Sequence, residues 1–68
     1  MPDEPLKNRE VIFEMLTVGN AVKVTAVDVK TMTEATFQGP ASSTEAVLQR
    51  EALKKLEYVM RKKGLPVS

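Results

Sequence analysis

The stretch VIFEMLTVGNAVKVTAVD, residues 11–28, decides the fold. Two runs rich in β-branched residues flank Gly19-Asn20, and a two-residue connection with glycine first suits a type II′ or I′ hairpin turn. Such a turn dictates the pairing on either side of it. Val18 faces Ala21, Met15 faces Val24, Phe13 faces Ala26 and Ile12 faces Val27. Downstream, EATFQG (34–39) has the pattern of a shorter third strand, and Pro40 ends the sheet. A turn centred on Thr31-Met32 would set Phe37 opposite Ala26 and Ala35 opposite Asp28, so that Phe13, Ala26 and Phe37 form one cross-strand row.

The remaining residues read as a helix. Ser42 followed by Glu45 has the form of a capping box, which predicts the helix start. At the far end, Gly64 supplies a left-handed position, Leu65 can reach back to Met60, and Pro66 blocks continuation. At 100° per residue, Ala46, Leu48, Ala52, Leu53, Leu56, Val59 and Met60 fall on one stripe. The surface available to that stripe is the sheet face carrying Val11, Phe13, Met15, Val22, Val24, Ala26, Ala35 and Phe37. The expected fold is therefore α+β: a three-stranded antiparallel β-meander with one long C-terminal helix packed across one face, in the order β-β-β-α. Residues 1–9, with Pro2, Pro5 and mixed charge, read as a flexible tail, residues 10–65 as a single domain, and residues 66–68 as a short C-terminal tail.

The opposite sheet face carries the functional lead. Alternation puts Glu14, Lys23, Thr25, Thr36 and Gln38 there, but also Ile12, Leu16, Val18, Val27 and Val29. A solvated face should be mostly polar, and the helix is already committed to the other side. Contiguous apolar area of this kind marks a protein interface. The expected contact residues are Ile12, Leu16, Val18 and Val27, with a homodimer or a larger protein as partner, the sheets packing through this face or joining edge to edge through an outer strand. The blander reading leaves Glu14 and Lys23 paired diagonally and folds the LPVS tail or Leu6 across the face.

A chain of 68 residues buries only roughly 60% of its unfolded surface and needs an aid to stability. The absence of cysteine and histidine removes disulfides, thiol nucleophiles, the commonest acid–base group and the usual zinc ligands. That leaves self-association as the aid, and the expectation is a non-catalytic chain with no cofactor and no metal. Ser42 and Ser43 have no evident base, Asp28 reads as a turn-initiating residue at the rim of the core face, and the glycines fit no phosphate-loop spacing. Zero cysteines suits a reducing cytoplasm, and MPDEPLKNRE holds no apolar run of the kind a signal peptide or membrane span requires.

Net charge is +1, yet residues 42–63 carry +3 against −2 for the rest. The alternative function is therefore weak nucleic-acid binding, of RNA in particular, through Arg50, Lys54, Arg61, Lys62 and Lys63. Glu51 and Glu57 interrupt that stripe at helix-pairing distances, and the terminal cations sit where the helix dipole favours them.

Three strands followed by SSTEAVLQREALKKLEYV resemble the end of a double-stranded-RNA-binding domain, with Ser42 and Ala46 at matching positions of its helix opening. The two phosphate-touching lysines of that family are replaced here by Ser43 and Thr44, and its first helix has no room. A resemblance over Arg9 to Gly64, carried by GNAVKVTA and LKKLEYV, is to a group of short alphaproteobacterial proteins of unknown function. It implies a bacterial cytoplasmic module of the same compact kind and brings no activity or ligand.

Overall fold

The computed structural model describes residues 9–67. Three strands, β1 (Val11–Val18), β2 (Ala21–Asp28) and β3 (Thr33–Pro40), precede one helix, α1 (Glu45–Lys62), and the sheet order is β1-β2-β3. This is the β-β-β-α arrangement expected. The tail expectation for residues 1–8 lies outside the described residues; Arg9 is described and is held against Asp28.

The first hairpin follows its turn. Gly19 has φ +60° and Asn20 does not enter the left-handed region, which makes the connection type II′. Val18 pairs with Ala21, Met15 with Val24, Phe13 with Ala26 and Ile12 with Val27, all as expected.

The second hairpin is displaced by two residues. Ala26 pairs with Ala35, Val24 with Phe37 and Asp28 with Thr33. The row expected to join two rings is therefore Phe13–Ala26–Ala35, and Phe37 sits on the row of Met15 and Val24. The cause is turn chemistry. The Asp28 carboxylate accepts from the Thr31 backbone N–H at 3.1 Å and from its hydroxyl at 2.6 Å, which organises a four-residue connection, and Met32 closes it at φ +57°. A shift of two keeps every side chain on its expected face.

The helix begins later than Ser42 predicts. The cap is Thr44, whose hydroxyl accepts from the Val47 N–H, because residues 41–43 are spent in a turn in which the Ser43 N–H bonds to the Pro40 carbonyl. Ala46, placed on the buried stripe by periodicity, is exposed in this first turn. The other end behaves as expected. Gly64 has φ +74°, its N–H bonds to the Arg61 carbonyl, and the Leu65 N–H bonds to the Met60 carbonyl, a Schellman ending.

Val24, Ala26, Ala35, Leu48, Ala52, Leu56 and Met60 form the core. The helix lies mainly on β3, less on β2, and β1 falls outside its main footprint. Gly39 explains that position. A Cβ there would stand 2.6 Å from Leu48 Cδ2 and 3.0 Å from Phe37 Cε2, so only glycine lets the helix settle so close to β3. Leu65 and Val67 also pack on this core. The C-terminal residues therefore belong to the helix side of the sheet and do not fold across the open face.

Candidate protein interface

Among the described residues, β1 is the strand of the sheet that is covered least. On the open face, Ile12, Leu16 and Val18 are 49%, 60% and 58% exposed. Val27, their neighbour on β2, is half-buried. On the helix side, Met15 is still 37% exposed, since the helix footprint is shifted toward β3. Of the four residues expected to form a contact, three thus lie along one edge strand and the fourth beside it.

The middle of the open face is polar. Thr25 and Thr36 share a hydroxyl hydrogen bond of 3.2 Å on the row of Glu14, and Lys23 and Gln38 share the next row with Leu16. The apolar surface is therefore a strip along β1 that continues on both sides of the strand, not a sheet-wide face. Among the described residues, no ion pair joins Glu14 to Lys23.

The other outer strand has a different character. The helix-side residues Ala35 and Gly39 of β3 are buried, Phe37 packs on the core, and its open-face residues are Glu34, Thr36, Gln38 and Pro40. A charge and a proline on an edge strand are the means by which proteins discourage further strand pairing. The eight residues of β1 contain no proline and one charge, Glu14.

A second polar cluster sits where β1 begins, and sequence reasoning missed it. Arg9 meets the buried Asp28 in a two-pronged pair, Nε to Oδ1 at 2.9 Å and Nη2 to Oδ2 at 3.0 Å. Because the Thr31 hydroxyl donates to Asp28, its 2.8 Å contact with Thr33 must be donated by the Thr33 hydroxyl. The Arg9 hydrogen bonds hold the Asp28 carboxyl far below its ordinary value against the opposing effect of burial, and the Thr31 donors add to the depression. The Arg9 guanidinium is raised in turn, chiefly by the same hydrogen bond. With every carboxylate oxygen occupied, the cluster is a clasp between the strand entrance and the second turn, not a ligand site. The available signal was Asp28-x-x-Thr31, which marks the turn; nothing marks Arg9.

Half of the six cations on and beside the helix are engaged. Lys54 lies 3.4 Å from Glu51, Arg61 lies 2.7 Å from Glu57, and the Lys62 ammonium stands 5.7 Å over the Tyr58 ring. Arg50, Lys55 and Lys63 have no carboxylate within ion-pair distance among the described residues. No group of three metal-ligating side chains occurs among the described residues, and no helix is long and apolar enough to cross a membrane.

These features define a small open-sheet α+β domain whose distinctive surface is an apolar outer strand. The chain belongs to the family described as "Domain of unknown function (DUF6898)", whose model matches residues 8–63. No curated protein and no solved structure matches it.

Proposed function

We propose that this chain is a non-catalytic interaction module that associates with a second copy of itself through the surface built on β1. The observation that carries the reading is an eight-residue outer strand left exposed on both of its faces, with Ile12, Leu16 and Val18 on one side and Met15 on the other. Exposed apolar area of this kind on a small fold favours burial against a partner. Leu65 and Val67 are spent on the core. A marginal core also gains from a second subunit, since association stabilises the folded state by mass action.

Two features support the absence of catalysis and the choice of protein over nucleic acid. Histidine and cysteine are lacking, and the buried carboxylate of Asp28 is fully engaged. A phosphate-binding stripe should be cationic and free of carboxylates, whereas Glu51 and Glu57 sit within it and hold Lys54 and Arg61. A cysteine-free chain also suits a reducing compartment, and we place the module in the cytoplasm as part of the same proposal.

The test is Ile12→Lys, which puts a charge at an exposed apolar position without touching the core. The wild type should sediment as a dimer at tens of micromolar, and the variant should run at the monomer mass with an unchanged far-ultraviolet spectrum. An identical mass for both proteins contradicts the proposal.

A further inference from the structure

We infer that two copies join β1 to β1, antiparallel, about a two-fold axis at Met15, making one six-stranded sheet with both helices on the same side. The inference rests on the self-association proposed above and adds its mode and register.

The backbone shows which groups have no partner among the described residues. The Val29 N–H donates to the Glu10 carbonyl at 3.1 Å, so residues 10 and 29 form a hydrogen-bonded pair. Alternation along an antiparallel ladder then points the backbone groups of Ile12, Glu14, Leu16 and Val18 toward β2. Those of Val11, Phe13, Met15 and Thr17 point out of the sheet edge. On β3, the Ala41 N–H donates to the Asn20 carbonyl at 2.8 Å, which by the same alternation turns Glu34, Thr36, Gln38 and Pro40 outward. Pro40 has no N–H to offer there, and Glu34 guards the other end. Of the two edges, β1 alone presents an unbroken row of donors and acceptors.

Register follows from parity and charge. The two-fold axis of an antiparallel strand pair runs perpendicular to the sheet, so the open face of one copy continues into the open face of the other. Even-numbered β1 residues must then meet even-numbered ones. Two registers keep nearly the whole strand paired, one with its axis at Glu14 and one at Met15. The first sets Glu14 directly opposite itself in a non-hydrogen-bonded pair, where Cα atoms stand about 4.5 Å apart and like charges are closest. The second removes that clash. It places Ile12 opposite Val18 on both halves of the open face and forms about six backbone hydrogen bonds through Phe13, Met15 and Thr17. Glu14 then lies on the row of Leu16 and Lys23 of the second copy, which brings an opposite charge toward it.

Edge pairing also accounts for the position of the exposed apolar residues better than sheet-on-sheet stacking does. Stacking would press Lys23, Thr25, Thr36 and Gln38 into the contact and would leave Met15 where it is. Pairing at the edge buries the strip where it lies, on both sides of β1.

The natural chain has no cysteine, so single-cysteine variants of the full chain read the register directly. Met15→Cys places the two sulfur-bearing residues across the axis with Cα atoms about 5.5 Å apart, within disulfide reach. In Glu14→Cys and Leu16→Cys the like positions are about 8 Å apart, beyond it. Mild oxidation should cross-link Met15→Cys at least roughly tenfold faster than either neighbour. Thr17→Pro, which removes an outward N–H and no contact to β2, should give a folded monomer. A wild-type dimer that survives Thr17→Pro and cross-links no faster at position 15 overturns the edge-paired register and leaves the self-association reading standing. A wild type that is monomeric at tens of micromolar overturns both.

Discussion

Replacing Gly39 by alanine tests the placement of the helix that leaves β1 uncovered. The new Cβ would lie 2.6 Å from Leu48 Cδ2 and 3.0 Å from Phe37 Cε2, while carbon atoms in contact sit at about 3.5–4.0 Å. Leu48 is buried and cannot swing into solvent, so the overlap must be relieved by shifting the helix or by an off-rotamer side chain. Such overpacking costs about 1–3 kcal/mol. A chain of this length has a stability of only roughly 3–10 kcal/mol, so the loss should be plain in a urea titration followed by circular dichroism. Leu48→Ala alone should cost about 2–5 kcal/mol through the cavity it leaves. In the double variant the methyl group added at position 39 enters the vacated space and no longer meets a leucine. The two costs should therefore fall short of their sum by about 1–2 kcal/mol. All four proteins must be compared at one concentration, because self-association adds to apparent stability. Costs that add to within about 0.5 kcal/mol, or a neutral Gly39→Ala, would refute the seating of Leu48 on Gly39.

Three further outcomes follow from particular residues. Asp28→Asn should cost about 2 kcal/mol at neutral pH, the buried-pair penalty discounted for the nearness of water in so small a domain. Because Asp28 is held below its unfolded value, that contribution is present above about pH 4 and is lost in more acid solution, so wild type and variant should converge there in thermal melts. Met32→Gly should stabilise by about 0.5–1 kcal/mol, since Met32 holds φ +57° with its side chain exposed; a lower melting temperature would contradict the turn geometry. Thr44→Ala should cost about 1 kcal/mol and Ser42→Ala close to nothing in the same assay, and the reverse order would restore Ser42 as the cap.

Much of this fold is legible in the chain because local signals agree with one another. Gly19-Asn20 sets the first hairpin to the residue, and Gly64-Leu65-Pro66 ends the helix as written. The second hairpin is less legible because Thr31 and Met32 are not turn formers. What organises that connection is the reach of Asp28 to Thr31, and what closes it is a methionine in a conformation methionine seldom adopts. Parity survives the error, so core and open faces are assigned correctly. Ser42 and Thr44 are both credible caps by residue type, and only the bond from the Ser43 N–H to the Pro40 carbonyl decides between them. The Arg9–Asp28 pair spans 19 positions and has no local mark at all.

The candidate interface is half legible. Alternation places Ile12, Leu16, Val18 and Val27 on the face the helix does not cover. It does not reveal that the helix sits over β3, which depends on the close approach at Gly39 and leaves Met15 exposed as well. That second exposure changes the surface from a sheet face into a strand edge.

Sedimentation equilibrium of the unmodified chain, from low to high micromolar concentration, tests the central claim most directly. A surface built on β1 for a second copy predicts a mass that rises with concentration toward twice the 7.5 kDa of the single chain. A mass that stays at 7.5 kDa across the whole range would contradict it.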